Sequence, residues 1–224
     1  MSQSAKSMSV PPSPPPKMLK QLQRWSGITF SVFVTLHVAT TISAALSPLK
    51  YDSVLETTRG IYRPNMIVEG LVVFAPLAVH MFVNSLLSFT QKKAAEVEAA
   101  TASLSKKLHS ITGYILSFLI PMHIFGNRFK NSFNASFASI AFVAEKEMGM
   151  VGALGFFGFL LACGLYHTIY GLNIALGYKL KKPLVMALII AALSASYYGI
   201  LGFVGLLYPD QMVAVRAQYD QFAN

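Results

Sequence analysis

Five long apolar segments, separated by polar links, organise this chain. The first runs from Ser26 to Leu46 without a charged residue. At ~1.5 Å of rise per residue, a helix of this length spans the ~30 Å hydrocarbon core of a bilayer. The other four segments are placed at residues 66–90, 108–126, 149–178 and 184–208. The pattern predicts an all-α polytopic membrane protein with five transmembrane helices.

The first and third apolar segments share a sequence pattern. Gly27 is followed ten residues later by His37, and Gly113 is followed ten residues later by His123. The second and fourth segments carry one more histidine each, His80 and His167. We therefore predict two repeated two-helix units plus a fifth helix. Counting from the predicted helix ends, all four histidines fall in one layer, about 15 to 20 Å below one membrane surface.

Polar stretches flank the apolar region and divide the chain into three parts. Residues 1–20 include the run PPSPPPK and are predicted to form a disordered proline-rich arm. Residues 21–210 form the transmembrane helical domain, and residues 211–224 form a short polar tail. The link at residues 127–148 contains NASFASIAFVAEKE, an amphipathic pattern that could lie flat at the membrane interface.

Composition and charge agree with a membrane protein. The chain is 54% hydrophobic and 12% charged, which is too apolar for a soluble domain. Its net charge of +9 does not indicate nucleic-acid binding, because the basic residues lie between the apolar segments rather than on one stripe. Most of them flank the N-terminal ends of segments one, three and five, so the positive-inside rule predicts a cytosolic N-terminus.

Histidines inside apolar segments must find partners or line a cavity. One interpretation is a b-type haem held between facing histidines of neighbouring helices, with Gly27, Gly113 and Gly171 leaving room for a flat macrocycle. The alternative is a set of interhelical hydrogen bonds to hydroxyl groups or backbone carbonyls. A proton path or a quinone site also remains open. The candidate cofactor and metal ligands are His37, His80, His123 and His167.

Three other residues are weighed beside these ligands. Arg24 and Arg128 flank the first and third helices, where either could pair with a haem propionate or a lipid phosphate. His109 stands apart at the predicted start of the third helix, so a solvated or headgroup role is expected for it. The sequence contains no hydrolytic or nucleotide-binding motif, and we expect no catalytic role of its own.

Several stretches resemble a known family. They are RWSG continuing to His37, RGIYRPNMIVEGLVVFAPLAVH ending at His80, HSITGY with GNR after His123, and LYHTIYG around His167. Together they resemble the fungal mitochondrial outer-membrane adaptor family that complements loss of the mdm-ten protein, often written MCP-one. The resemblance covers about residues 20 to 208.

This resemblance implies a fold and a function. The family has five membrane-spanning helices and is distantly related to the cytochrome b anchors of succinate dehydrogenase and fumarate reductase. It implies a mitochondrial membrane, the outer more than the inner, and a part in lipid homeostasis. Family members recruit a lipid-transfer protein of the vacuolar-sorting-thirteen type through an N-terminal P-x-P motif, which Pro12 and Pro14 match here.

Two functional hypotheses follow. The first is a non-enzymatic adaptor in lipid homeostasis that recruits this lipid-transfer protein through its arm and carries a possible haem b. The second is a b-type cytochrome subunit that anchors a respiratory complex of the succinate dehydrogenase kind, with other membrane subunits as partners. Both place the chain in a lipid bilayer, and neither implies a nucleic-acid partner.

Overall fold

The computed structural model describes residues 16–90, 102–130 and 135–222, without the side chains of residues 128–130. This part of the chain is helical and contains no strand. The helices are α1 (Lys17–Ser43), α2 (Pro48–Tyr62), α3 (Met66–Thr90), α4 (Leu104–Asn127), α5 (Phe137–Phe142), α6 (Gly149–Ala175), α7 (Lys182–Phe203) and α8 (Pro209–Arg216).

The five predicted membrane spans are confirmed as α1, α3, α4, α6 and α7, each long and apolar enough to cross a bilayer. The main difference is at the N-terminus of α1, which begins at Lys17 and not at Ser26. Pro16 immediately precedes this helix, and the polar stretch KMLKQLQRW forms its first turns. The charged start carries no hydrophobic signal, although Lys, Leu, Gln and Arg are good helix formers.

Internal prolines coincide with irregular turns in two of the spans. In α3, a π-helical turn over Gly70–Phe74 lies directly before Pro76, whose ring removes one backbone hydrogen bond and crowds the preceding turn. In α4, Pro121 lies inside the helix, and a second π-helical turn follows over Phe125–Lys130. Both irregular turns therefore lie within ten residues of a histidine, His80 or His123.

Helix α1 is central to the bundle, where it packs along α2, α3, α6 and α7, while α4 packs along α6. The contact with α7 is unusually close because of two glycines. A Cβ atom on Gly199 would collide with the backbone carbonyl of Thr41, and one on Gly202 would lie 2.6 Å from the carbonyl oxygen of Ala44. Helix α7, the fifth membrane span, thus holds the C-terminal end of α1 in place.

A second packed region, the cap, lies at the end of the bundle where α1 terminates. It consists of α2, α5 and α8, together with residues that follow α5 and α8, such as Ala144 and Tyr219. Its centre is formed by the fully buried Phe137 and Met212. Apolar residues of the 127–148 link pack into this core, and the position of the link at the membrane interface stays a prediction. Residues 209–216, partly within the predicted polar tail, form α8 and contribute to the same core.

Polar contacts fix the cap. The backbone N–H of Phe137 donates to Asp52 Oδ1 at 2.7 Å, which places a carboxylate at the N-terminus of α5. Arg216 donates two hydrogen bonds to Glu145, with Nη2 2.7 Å from Oε1 and Nε 3.0 Å from Oε2. These bonds hold the pKa of Glu145 below its usual value, whereas burial raises the pKa of Asp52.

Candidate functional site

A cavity of about 1450 Å³ lies inside the bundle, between α1, α3, α4 and α6. Gln23 and Ser88 line one end of it, while Arg59 and Tyr62 line the other. All five histidines of the chain line its wall, namely His37, His80, His109, His123 and His167. The histidines thus share one cavity and are not dispersed among separate helix contacts.

The histidines on α3 and α6 form the first pair, which we name the upper pair. The ring centres of His80 and His167 are 6.3 Å apart, with the ring planes 80° to each other. Each ring packs against a glycine of the neighbouring helix. A Cβ atom on Gly27 would lie 2.9 Å from His80 Cε1, and one on Gly113 would lie 2.8 Å from His167 Cε1. Only glycine leaves these imidazoles enough room.

Backbone carbonyls orient both rings of the upper pair. His80 Nδ1 donates to the carbonyl of Gln23 at 3.1 Å, and His167 Nδ1 donates to the carbonyl of His109 at 3.1 Å. A carbonyl oxygen only accepts, so Nδ1 carries the proton and Nε2 keeps its lone pair. Metal-binding histidines are commonly held in this way, through the ring nitrogen that does not bind the metal.

The histidines on α1 and α4 form the second pair, which we name the lower pair. The ring centres of His37 and His123 are 5.9 Å apart, with the planes 67° to each other. Phe33 stacks on His37 at 5.7 Å, and the side-chain amide of Asn127 lies 3.2 Å from His123 Nδ1. Within the described residues, no backbone carbonyl accepts a hydrogen bond from either ring of this pair.

The two pairs lie at different depths, and the prediction of a single layer is wrong. His80 contacts Gly27, whereas His37 lies ten residues further along the same helix, about 15 Å away. The same ten residues separate Gly113, which contacts His167, from His123. The error came from the helix ends, because α1 begins nine residues earlier than its apolar segment suggests.

The hydrogen-bond interpretation is correct in part. The upper-pair rings donate to carbonyls of the adjacent helix, as that alternative required. These bonds use Nδ1 alone, so they leave Nε2 available for a ligand. Other polar side chains near these rings bond elsewhere: Asn84 donates to the carbonyl of His80, while Thr35 and Thr40 donate within α1. The hydrogen bonds are therefore compatible with haem ligation by the same two residues, which stays a prediction.

His109 is the residue that the sequence interpretation misplaced. It lies six residues inside α4 and its ring stacks on that of His167, with centres 4.1 Å apart and planes 11° to each other. The predicted helix started at Leu108 and left His109 at the surface. The sequence feature that points to its true position is Gly171, four residues after His167. This glycine leaves room for the His109 ring, because a Cβ atom there would lie 2.9 Å from His109 Cε1.

Cationic side chains lie along the cavity at both levels. Arg24 lines its upper part and places its guanidinium 5.7 Å from the ring centre of Trp25. Arg59 and Arg63, which were not chosen from the sequence, line its lower part, where Arg63 Nε lies 3.5 Å from Glu69 Oε2. Three predicted residues lie outside the part that the structure describes, namely the side chain of Arg128 and the arm residues Pro12 and Pro14.

These residues fit a haem. Two imidazoles that bind one metal ion from opposite sides, at ~2 Å per metal–nitrogen bond, have ring centres roughly 6 Å apart. Both pairs meet this distance, at 5.9 and 6.3 Å. The cavity also exceeds the usual ~300–1,000 Å³ of a small-molecule site. Among the described residues, no three His, Cys, Asp or Glu side chains form a metal site; a haem needs only two axial ligands from the protein.

No family model matches the chain, and neither a curated protein nor a solved structure is significantly similar to it.

Proposed function

We propose that this chain is a membrane-embedded b-type cytochrome that holds two haems, one between His80 and His167 and the other between His37 and His123. The observation that carries the proposal is the presence of two imidazole pairs at the spacing of a shared metal ion, on the wall of one cavity.

The protein's own groups have distinct tasks in this proposal. The carbonyls of Gln23 and His109 hold the upper rings in one tautomer, and Gly27 and Gly113 allow the helices to approach them. When bound, haem supplies reversible one-electron transfer. The apolar helices around the cavity keep water from the ligands, and the arginines at its two ends suit the negative charge of propionates.

The test is the optical spectrum of the purified full chain together with its haem-to-chain ratio. The proposal expects a Soret band that survives purification, the reduced spectrum of a six-coordinate b-type haem, and about two haems per chain, one for each histidine pair. A colourless protein that takes up no added haem would remove the proposal. A coloured protein whose spectrum is unchanged when all four ligand histidines are replaced would also contradict it.

The adaptor function is a second candidate, supported by the resemblance of residues 20 to 208 and by the P-x-P sequence at Pro12 and Pro14. In this proposal, the arm recruits a lipid-transfer protein of the vacuolar-sorting-thirteen type to the mitochondrial outer membrane, and the helical bundle anchors the arm. Haem binding is compatible with it. The other alternative, an anchor subunit of a respiratory complex, requires further membrane subunits and the inner membrane.

A pull-down separates these alternatives. The full chain in detergent is compared with the Pro12→Ala plus Pro14→Ala variant as bait for the purified lipid-transfer protein. The adaptor proposal expects capture by the wild type and its loss with the variant, because a P-x-P ligand binds through its prolines. Equal capture by both would remove the motif's role. Replacing Pro11 and Pro15 provides a control with the same number of prolines removed.

A further inference from the structure

The two halves of the upper pair differ at one matched pair of positions. In the α1–α3 half, Gln23 lies four residues before Gly27, Asn84 lies four residues after His80, and Gln23 Nε2 donates to Asn84 Oδ1. In the α4–α6 half, the corresponding positions, four residues before Gly113 and after His167, are His109 and Gly171. The hydrogen-bonded side-chain amides of Gln23 and Asn84 in one half thus correspond to His109 and Gly171 in the other, where the glycine leaves space for the histidine ring.

His109 fills that space beside an existing ligand. Its ring lies parallel to His167 at 4.1 Å, and the missing side chain of Gly171 accommodates its Cε1. The upper level therefore contains three imidazoles on one cavity, namely His80, His167 and His109. The lower level contains two.

The environment of His109 suits a ligand better than a packing residue. Its Nδ1 is buried and has no hydrogen-bond partner among the described residues. Burying a polar atom without a partner is unfavourable, so a packing role alone would favour an apolar side chain or the Gln–Asn pair of the other half. Either nitrogen of a neutral imidazole can bind a metal ion.

We propose that His109 is a reserve axial ligand, able to take the place of His167 opposite His80. The inference rests on the proposed haem function of the upper pair. One neutral imidazole replaces another, so the exchange breaks one iron–nitrogen bond, forms one, and transfers no electron or proton. The other half has no such reserve, because Gln23 occupies the position that corresponds to His109.

The experiment compares the loss of each upper ligand in the full chain. We expect His167→Ala to retain close to the wild-type haem-to-chain ratio with a six-coordinate low-spin spectrum. His80→Ala should lose about half of the haem, since two pairs contribute equally. The His109→Ala plus His167→Ala variant should lose the same half, whereas His109→Ala alone should keep both haems.

A transplant makes the test independent of whether His167→Ala folds well. Installing Gln23→His and Asn84→Gly in the His80→Ala background should restore the lost haem, because it recreates the His109–Gly171 arrangement on α1 and α3. The reverse exchange, His109→Gln plus Gly171→Asn, should keep two haems by itself and should lose one when combined with His167→Ala.

The outcomes separate the two proposals. A wild-type chain without haem would remove the proposed function, and the reserve ligand with it. A wild-type chain with two haems, together with equal losses in His167→Ala and His80→Ala and no rescue by the transplant, would overturn the reserve ligand alone. A high-spin upper haem in His167→Ala would have the same meaning, because it shows that no second imidazole reaches the iron.

Discussion

The upper and lower histidine pairs have nearly the same ring spacing but different supports. His80 and His167 are each fixed by a carbonyl of the neighbouring helix and by a glycine that admits the ring. His37 and His123 are held by contacts with Phe33, Phe157 and Asn127. Two sites of the same composition in one cavity are therefore not expected to behave alike.

The difference between the pairs lies in what orients the histidine rings. At the upper level the backbone supplies it, and a backbone carbonyl changes little when side chains vary. At the lower level it depends on side-chain packing and on the nearby cap, where Tyr62 contacts Phe33 and Arg59 lines the cavity. We expect the upper site to be the better ordered one, and the lower site to be more sensitive to substitutions in the cap.

Removing one ligand from each pair should have the largest effect. His80→Ala and His37→Ala are each expected to lower the haem content from about two to about one per chain, and the double variant should abolish it. The pyridine haemochrome assay measures this ratio. If either single variant emptied both sites, the pairs would not be independent. The full wild-type content in both variants would exclude these histidines as ligands.

Filling a glycine contact should affect the upper pair selectively. Gly27→Val places methyl groups where His80 lies, since even a Cβ atom would be 2.9 Å from its Cε1, and we expect loss or a high-spin form of one haem, because no reserve ligand lies beside His80. Gly155→Val is the matched control, because a Cβ atom there meets nothing within 4 Å. Electron paramagnetic resonance distinguishes the spin states. Equal spectra for the two variants would contradict the contact.

Neutralising an arginine should shift a single redox potential. Arg59→Gln is expected to lower the midpoint potential of the lower haem by about 30 to 60 mV, since loss of a nearby cation destabilises the reduced form. Arg24→Gln should instead shift the upper haem. Potentiometric titration followed optically checks both variants. Shifts of both haems in each variant would show that the arginines do not act at separate levels.

The smallest effect is expected in the cap. Glu145→Gln removes the charge that accepts two bonds from Arg216, a partly exposed pair, and should cost about 1 kcal/mol of stability. The pKa of Glu145 is lowered in the folded protein, so its contribution is present at neutral pH. That contribution disappears as the pH falls through the lowered pKa. Thermal unfolding of wild type and variant should therefore converge in acid, and a constant difference would contradict this pair.

The sequence predicted the spans and the four ligand candidates because both depend on patterns along one helix. Apolar length identified each span, and the ten-residue spacing from Gly27 to His37 and from Gly113 to His123 stood out without a structure. Gly27, Gly113 and Gly171 were selected from the sequence as room for a macrocycle, and that role stays a prediction. The structure shows that they directly contact His80, His167 and His109.

Depth and pairing could not be predicted in the same way. Hydropathy located the apolar part of α1 but not its polar first turns, and an error of nine residues moves a side chain by about 13 Å. That error merged two levels into one. A separate error of four residues at the start of α4, which begins at Leu104 and not at Leu108, left His109 at the surface. The cap was missed because Phe137, Met212 and Tyr219 meet across distant parts of the sequence. The two-unit repeat stays a prediction, which the matched glycine–histidine contacts support.

A redox titration of the purified wild-type chain tests the central claim most directly. Two histidine pairs with different supports, about 15 Å apart along the bundle, should give a b-type absorbance that titrates as two one-electron components of equal size. The component lost in His80→Ala should differ from the one lost in His37→Ala. A single component carrying one haem per chain, or no absorbance that responds to potential, would contradict the account.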